Sequence, residues 1–287
     1  MRVITIQQLE LFKEHLVNEE KAVATINKYV HDVGVFTRWL SDSQLDKCAV
    51  LAYKKHLAEH YEAASVNVAL SALNSFFCFM EWHDLRVKNI RIQKPLFAFA
   101  ETELTRDEYE RLLQAAKGRN NERLYYLMQT ICSTGIRVSE VCYITVDAVE
   151  CGIAEINCKG KRRQVFLPHQ LCEVLKQYIQ KRKIKSGAVF VTKNGKPLDR
   201  SNIWSDIKKL CKTANVSEKK AFPHNLRHLF ARTFYSSQKD IVRLADVLGH
   251  GSVNTTRIYT AESGEVHRRQ IEELGLVEDN NIISIMW

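Results

Sequence analysis

Apolar residues recur at helical spacing through roughly the first third of the chain. Ile6, Leu9, Phe12 and Leu16 fall three and four apart. Ile26, Tyr29, Val33, Phe36 and Leu40 repeat the stripe, with Trp39 beside it. A third helical run covers residues 47–60. A fourth runs from Val66 to Trp82, with Leu70, Leu73, Phe76, Phe77 and Met80 on its apolar face. Short amphipathic helices with no strand among them predict a small helical domain over residues 1–90.

The pattern breaks over residues 86–104, which contain Pro95 and several basic side chains, Lys94 among them. Residues 91–104 read as an interdomain linker. Its charge suits either a polyanion or plain solvation. Thr105 and Glu108 then have capping-box spacing, which predicts a helix start and a second domain over residues 105–287. Here the period changes. Residues 122–133 are helical and Thr134-Gly135 makes a turn. Ile153–Cys158 and Gln164–Leu167 alternate like strands, joined by a basic turn of Lys159, Gly160, Lys161, Arg162 and Arg163. Val189–Val191 predicts one more short strand, and helices resume near Arg200. The fold class expected is mainly α with a small β-sheet: a helical domain followed by a mixed α/β domain.

Composition narrows the partner. The 287-residue chain is 45% apolar and 26% charged, an ordinary globular balance. Its formal net charge is +9, and nearly all of the excess lies after residue 95. Such a surplus favours a polyanionic partner through counterion release. No apolar run reaches the length of a membrane span, and the start of the chain lacks a signal-peptide core, so a cytoplasmic protein is expected. The eight cysteines form no CxxC pair and read as reduced thiols rather than metal ligands.

Polar clusters on this apolar frame carry the candidate chemistry. In Ser133-Thr-Gly-Ile-Arg137-Val-Ser-Glu140, Glu140 can orient Arg137. Lys159, on the tight turn, can reach into a cleft as a proton donor. In Phe222-Pro-His224-Asn-Leu-Arg227-His228, Pro223 suits a first helical position, and His224 and Arg227 share a face. The field of that helix N-terminus is expected to keep His224 neutral. In Leu248-Gly-His250 through Tyr259, Gly249 stops a helix and Ser252 caps the next. Taken singly, each cluster reads equally as a surface pair, a solvated turn, a capping histidine or a packed tyrosine. Together they suit one phosphodiester. Two guanidiniums match its oxygens, histidines and a lysine move protons, and a phenol is a usable nucleophile.

These motifs resemble those of the tyrosine recombinase (phage integrase) family, in its order and near its spacing. Residues 1–90 resemble the family's helical core-binding, SAM-like domain, and the chain is similar in size to two-domain Xer-type and transposon integrases. The resemblance implies site-specific DNA recombination, by integration, excision or resolution, through a 3′-phosphotyrosyl intermediate on Tyr259. It implies that Arg137 and Arg227 clamp the phosphate, that Lys159 protonates the leaving oxygen, and that His224 takes part in proton transfer. His250 would hydrogen-bond the phosphate, with Glu140 as support. Lys161, Arg162, Arg163 and Lys94 are expected to contact double-stranded DNA. No metal or other cofactor is expected. The implied assembly is a homotetramer on DNA, with the apolar tail after Gly275 docked on its own domain or exchanged with a neighbour. Two alternatives remain: a type IB topoisomerase-like nicking-closing enzyme and a DNA-binding accessory protein. The family often has a histidine just after the nucleophile; Thr260-Ala261 stand there instead.

Overall fold

The computed structural model describes residues 2–41, 43–92, 103–158, 161–192, 194–259, 268–269 and 271–276. Lys94, Lys159, Thr260-Ala261 and the end of the tail lie outside the described residues, as does the side chain of Lys161. The chain divides into two compact units, Met1–Lys94 and Pro95–Trp287.

The first unit contains helices α1 (Ile6–Asn18), α2 (Val23–Leu40), α3 (Lys47–His60) and α4 (Ala63–Phe79). The predicted stripes face inward. Phe12, Phe36, Phe76 and Phe77 are fully buried, and the Phe12 and Phe76 rings meet edge to face at 5.3 Å. The stretch after α4 behaves differently from a free connector. Asn74 exchanges two hydrogen bonds with the backbone of Val87, and Asn67 does the same with Ile90. Each amide imitates a strand partner, so the chain as far as Ile90 is held to the helical unit.

The second unit begins with α5 (Arg106–Gly118), opened by the Thr105–Glu108 capping box, and α6 (Glu122–Thr134). A 3₁₀ turn over Val138–Tyr143 and α7 (Val146–Cys151) lead to strands β1 (Ile153–Cys158) and β2 (Lys161–Phe166). Next come α8 (His169–Arg182), α9 (Arg200–Ala214), α10 (Pro223–Gln238), α11 (Ile241–Leu248) and the short α12 (Val253–Thr256). The large core gathers Leu112, Met128, Ile131, Leu175, Phe190 and Ile207. A smaller cluster of Ala231, Leu244, Leu248 and Tyr259 joins α10 and α11 to the segment after α12.

Two expectations need correction. The basic turn is shorter than expected, because Cys158 pairs with Lys161 and only residues 159–160 separate the strands. Lys161, Arg162 and Arg163 therefore belong to β2. Val189–Val191 forms no strand among the described residues, only isolated bridges, Thr145 with Ala188 and Val191 with Pro197. Proline has no N–H to extend a ladder. No helix among the described residues is long and apolar enough to cross a membrane.

Gly135 ends α6 at φ 64°, and a Cβ there would collide with the Phe230 ring of α10. Gly135→Ala combines left-handed strain with overpacking, so it should destabilise the second unit by about 1–3 kcal/mol. Chemical denaturation checks this; an unchanged midpoint would mean that the turn is not pinned.

Candidate active site

The site is built around the C-terminal end of α11. A helix leaves its last carbonyls unpaired, and its negative dipole end attracts cations. Here three consecutive carbonyls each accept a guanidinium from a different element. Arg163 of β2 donates to Val247 O at 3.0 Å, Arg227 of α10 to Leu248 O at 2.9 Å, and Arg137 to Gly249 O at 3.1 Å. Arg227 also donates to the Gly135 carbonyl, so the turn that ends α6 is tied to the same point.

Arg227 is 2% exposed. It is no surface arginine, and its burial is tolerable because backbone acceptors and His250 Nε2, at 3.0 Å, surround the guanidinium. Burial, and then the neighbouring Arg137 charge, lower its pKa to about 10, so it remains a cation at neutral pH.

Arg137 is oriented as its spacing from Glu140 suggested. Its guanidinium meets Glu140 Oε1 at 3.0 Å, and its backbone N–H meets Oε2 at 3.0 Å. Arg163 Nη2 reaches the same Oε2 at 2.6 Å. Burial by itself would raise the Glu140 pKa. The hydrogen bonds from Arg163 and Arg137 outweigh that and hold it below the usual carboxylate range.

Arg163 departs from expectation. Anticipated as a DNA contact on an open turn, it points inward, its side chain 16% exposed. The register explains this. Arg163 pairs with Ile156, and cross-strand partners share a face of the hairpin; Ile156 is 2% exposed. Arg162, paired with Asn157, is exposed.

Beyond α11, Gly249 turns the chain at φ 62°, Ser252 caps α12, and Arg257–Tyr259 closes the segment as a 3₁₀ turn. His250 Nδ1 lies 2.8 Å from the hydroxyl of buried Thr256. Tyr259 is 3% exposed. Its ring meets His228 edge-on at 4.7 Å and stacks parallel to His250 at 6.1 Å. Arg137, His224, Arg227, His250 and Tyr259 all line one cleft of about 820 Å³, with Arg200 and Trp204 of α9 on the same wall.

His224 stands exposed at the cleft mouth, and its pKa is lowered, in the direction expected. The causes are partial burial first, then the charges of Arg227, Arg200 and Arg137, rather than the helix field alone. His228, which carried no role in the sequence reading, fills the space between His224 and Tyr259, 4.4 Å from the former ring. Its motif showed the residue but not this position. Arg200 and Trp204 give no signal beyond lying where helices resume.

The sequence model described as "Phage integrase family" matches residues 102–265, and the one described as "Phage integrase, N-terminal SAM-like domain" matches residues 9–84. The chain belongs to the phage integrase family. The tyrosine recombinase XerA of Thermococcus kodakarensis is 30% identical over 94% of this recombinase and 96% of its own length. A crystal structure of XerA recombinase matches at 26% identity and a TM-score of 0.53, covering 95% of this chain and 99% of the other. A lambda integrase tetramer bound to a Holliday junction shares the fold at a TM-score of 0.73 and 19% identity, covering 90% and 78% of the two chains. The protein is a tyrosine site-specific recombinase that acts in DNA recombination, and the topoisomerase and accessory-protein alternatives are not favoured.

The histidines make stability acid-sensitive. Burial, then neighbouring charge, pushes His228 and His250 down to about 4. The unfolded chain takes up these protons near pH 6.5, and the folded recombinase refuses them until about pH 4. Stability should therefore be full above about pH 6.5 and fall as the pH drops toward 4. Protonation of Glu140, whose folded pKa is depressed, adds a loss at the acid end. Thermal melts between pH 7.5 and 4.5, at about half-unit intervals, should show this fall, and His228→Asn should make it shallower. An identical slope in the variant would contradict the assignment.

Proposed function

We propose that this recombinase cuts and rejoins double-stranded DNA with Tyr259 as nucleophile. The phenolic oxygen attacks the scissile phosphorus, the bond to the 5′-oxygen breaks, and a 3′-phosphotyrosyl ester remains. His224 takes part in moving the tyrosine proton, and its depressed pKa leaves it able to accept one near neutrality. Lys159 supplies the proton to the departing 5′-oxygen. Arg137 and Arg227 hold the non-bridging oxygens and stabilise the charge of the pentacovalent transition state. His250 hydrogen-bonds the same phosphate once its Nε2 is released from Arg227, and Glu140 fixes Arg137. The ester conserves the energy of the broken bond, so a partner strand's 5′-hydroxyl reverses the step without ATP or metal.

The observation that carries this reading is the single cleft that Arg137, Arg227, His224, His250 and Tyr259 share. Lys94, Lys161 and Arg162 are proposed contacts to the DNA backbone. The active form is proposed to be a homotetramer holding two duplexes in the cytoplasm, with the tail after Gly275 docked on its own domain or passed to a neighbouring protomer. A mobile-element or chromosomal site would serve equally as substrate for this chemistry.

A duplex nicked near the cleavage point traps the covalent step, because the freed 5′ fragment diffuses away. The enzyme should form an SDS-resistant adduct that Tyr259→Phe abolishes; an adduct that survives would remove Tyr259 from the role. Arg137→Ala and Arg227→Ala should each slow adduct formation by roughly a hundredfold or more. Duplex affinity should change much less, since most of it comes from many phosphate contacts. Either variant cleaving at the normal rate would refute its assignment.

A further inference from the structure

Arg163 neither lines the cleft nor faces solvent, yet it touches both groups that orient Arg137. The first is the Glu140 carboxylate, which it meets at 2.6 Å through the oxygen that also accepts the Arg137 backbone N–H. The second is the Gly249 peptide, whose carbonyl accepts Arg137 Nη2. The stem of Arg163 lies so closely over Gly249 that any Cβ there would strike its Cδ. Its other Nη is committed to Val247 O, two residues back at the same helix end.

We infer that Arg163 is a positioning residue for Arg137, setting the guanidinium that faces the scissile phosphate from behind. This rests on reading Arg137 as a phosphate clamp. The chemistry follows from the contacts. Glu140 is 3% exposed, and its carboxylate is shared between two guanidiniums, those of Arg137 and Arg163. Without Arg163, its carboxylate would turn more fully onto Arg137 or take up a proton. The packing that holds the Gly249 carbonyl toward Arg137 would also be lost. Either change moves the Arg137 fork away from the phosphate. Lysine would restore the charge but not the planar fork that bridges Glu140 and Val247.

The test compares strand cleavage on two duplexes. One carries the natural scissile phosphodiester. In the other, a methyl group replaces one non-bridging oxygen, giving an uncharged methylphosphonate that needs far less cationic stabilisation. Arg163→Gln should slow cleavage of the natural duplex by roughly ten- to a hundredfold. Most of that loss should disappear on the methylphosphonate, as it should for Arg137→Ala. Arg163→Lys should fall between wild type and Arg163→Gln, and it takes over the test if Arg163→Gln does not fold. A merely structural role would slow both duplexes alike. An Arg163 variant equally slow on both, beside a relieved Arg137→Ala, overturns the inference. If Arg137→Ala itself is not relieved, the reading of Arg137 as a charge-neutralising clamp fails first.

Discussion

The last turn of α11 is the constraint on which the site depends. The carbonyls of its last two residues, Val247 and Leu248, and of the capping Gly249 draw in Arg163, Arg227 and Arg137 from three separate elements. Three guanidiniums brought together repel one another, and one of them is almost wholly buried. The arrangement stands because each cation meets a backbone oxygen at the negative end of a helix, and because buried Glu140 sits between two of them. Arg137 and Arg227 both line the cleft while Glu140 does not, so an anion bound between the two arginines, as proposed for the scissile phosphate, would relieve their repulsion.

The same chain segment carries the tyrosine. From the Gly249 turn the backbone passes through His250, the Ser252 cap and α12 to Tyr259, whose ring packs into the small cluster with Leu248 and Ala231. The acceptors that orient the arginines and the ring of the proposed nucleophile therefore lie on one short stretch, and a shift of this segment would alter the geometry of both together.

Much of this was legible in the residues. The helical stripes, the Thr105 capping box, the Gly135 and Gly249 stops and the Arg137–Glu140 spacing are local signals, and local physics satisfies them. The hairpin turn is shorter than the sequence suggests because Lys159 through Arg163 are all basic but for Gly160. No hydrophobic alternation shows where pairing resumes, so Arg163 looks solvated although its register places it on the same buried face as Ile156. The burial of Arg227 could not be read from α10 at all, since its acceptors lie on Gly135 and Leu248, far away in sequence. His228 was visible as a letter within its motif, but its place between His224 and Tyr259 depends on how α10 meets the segment after α12.

The central claim is that two guanidiniums anchored on one helix end receive the phosphate that Tyr259 attacks. A crystal structure of the Tyr259→Phe protein on an uncut duplex addresses it directly. The account places one scissile phosphate within hydrogen-bonding distance of both Arg137 and Arg227, with the phenyl ring of residue 259 beside it. A phosphate seated elsewhere, or contacted by only one of the two arginines in a fully docked complex, would contradict it.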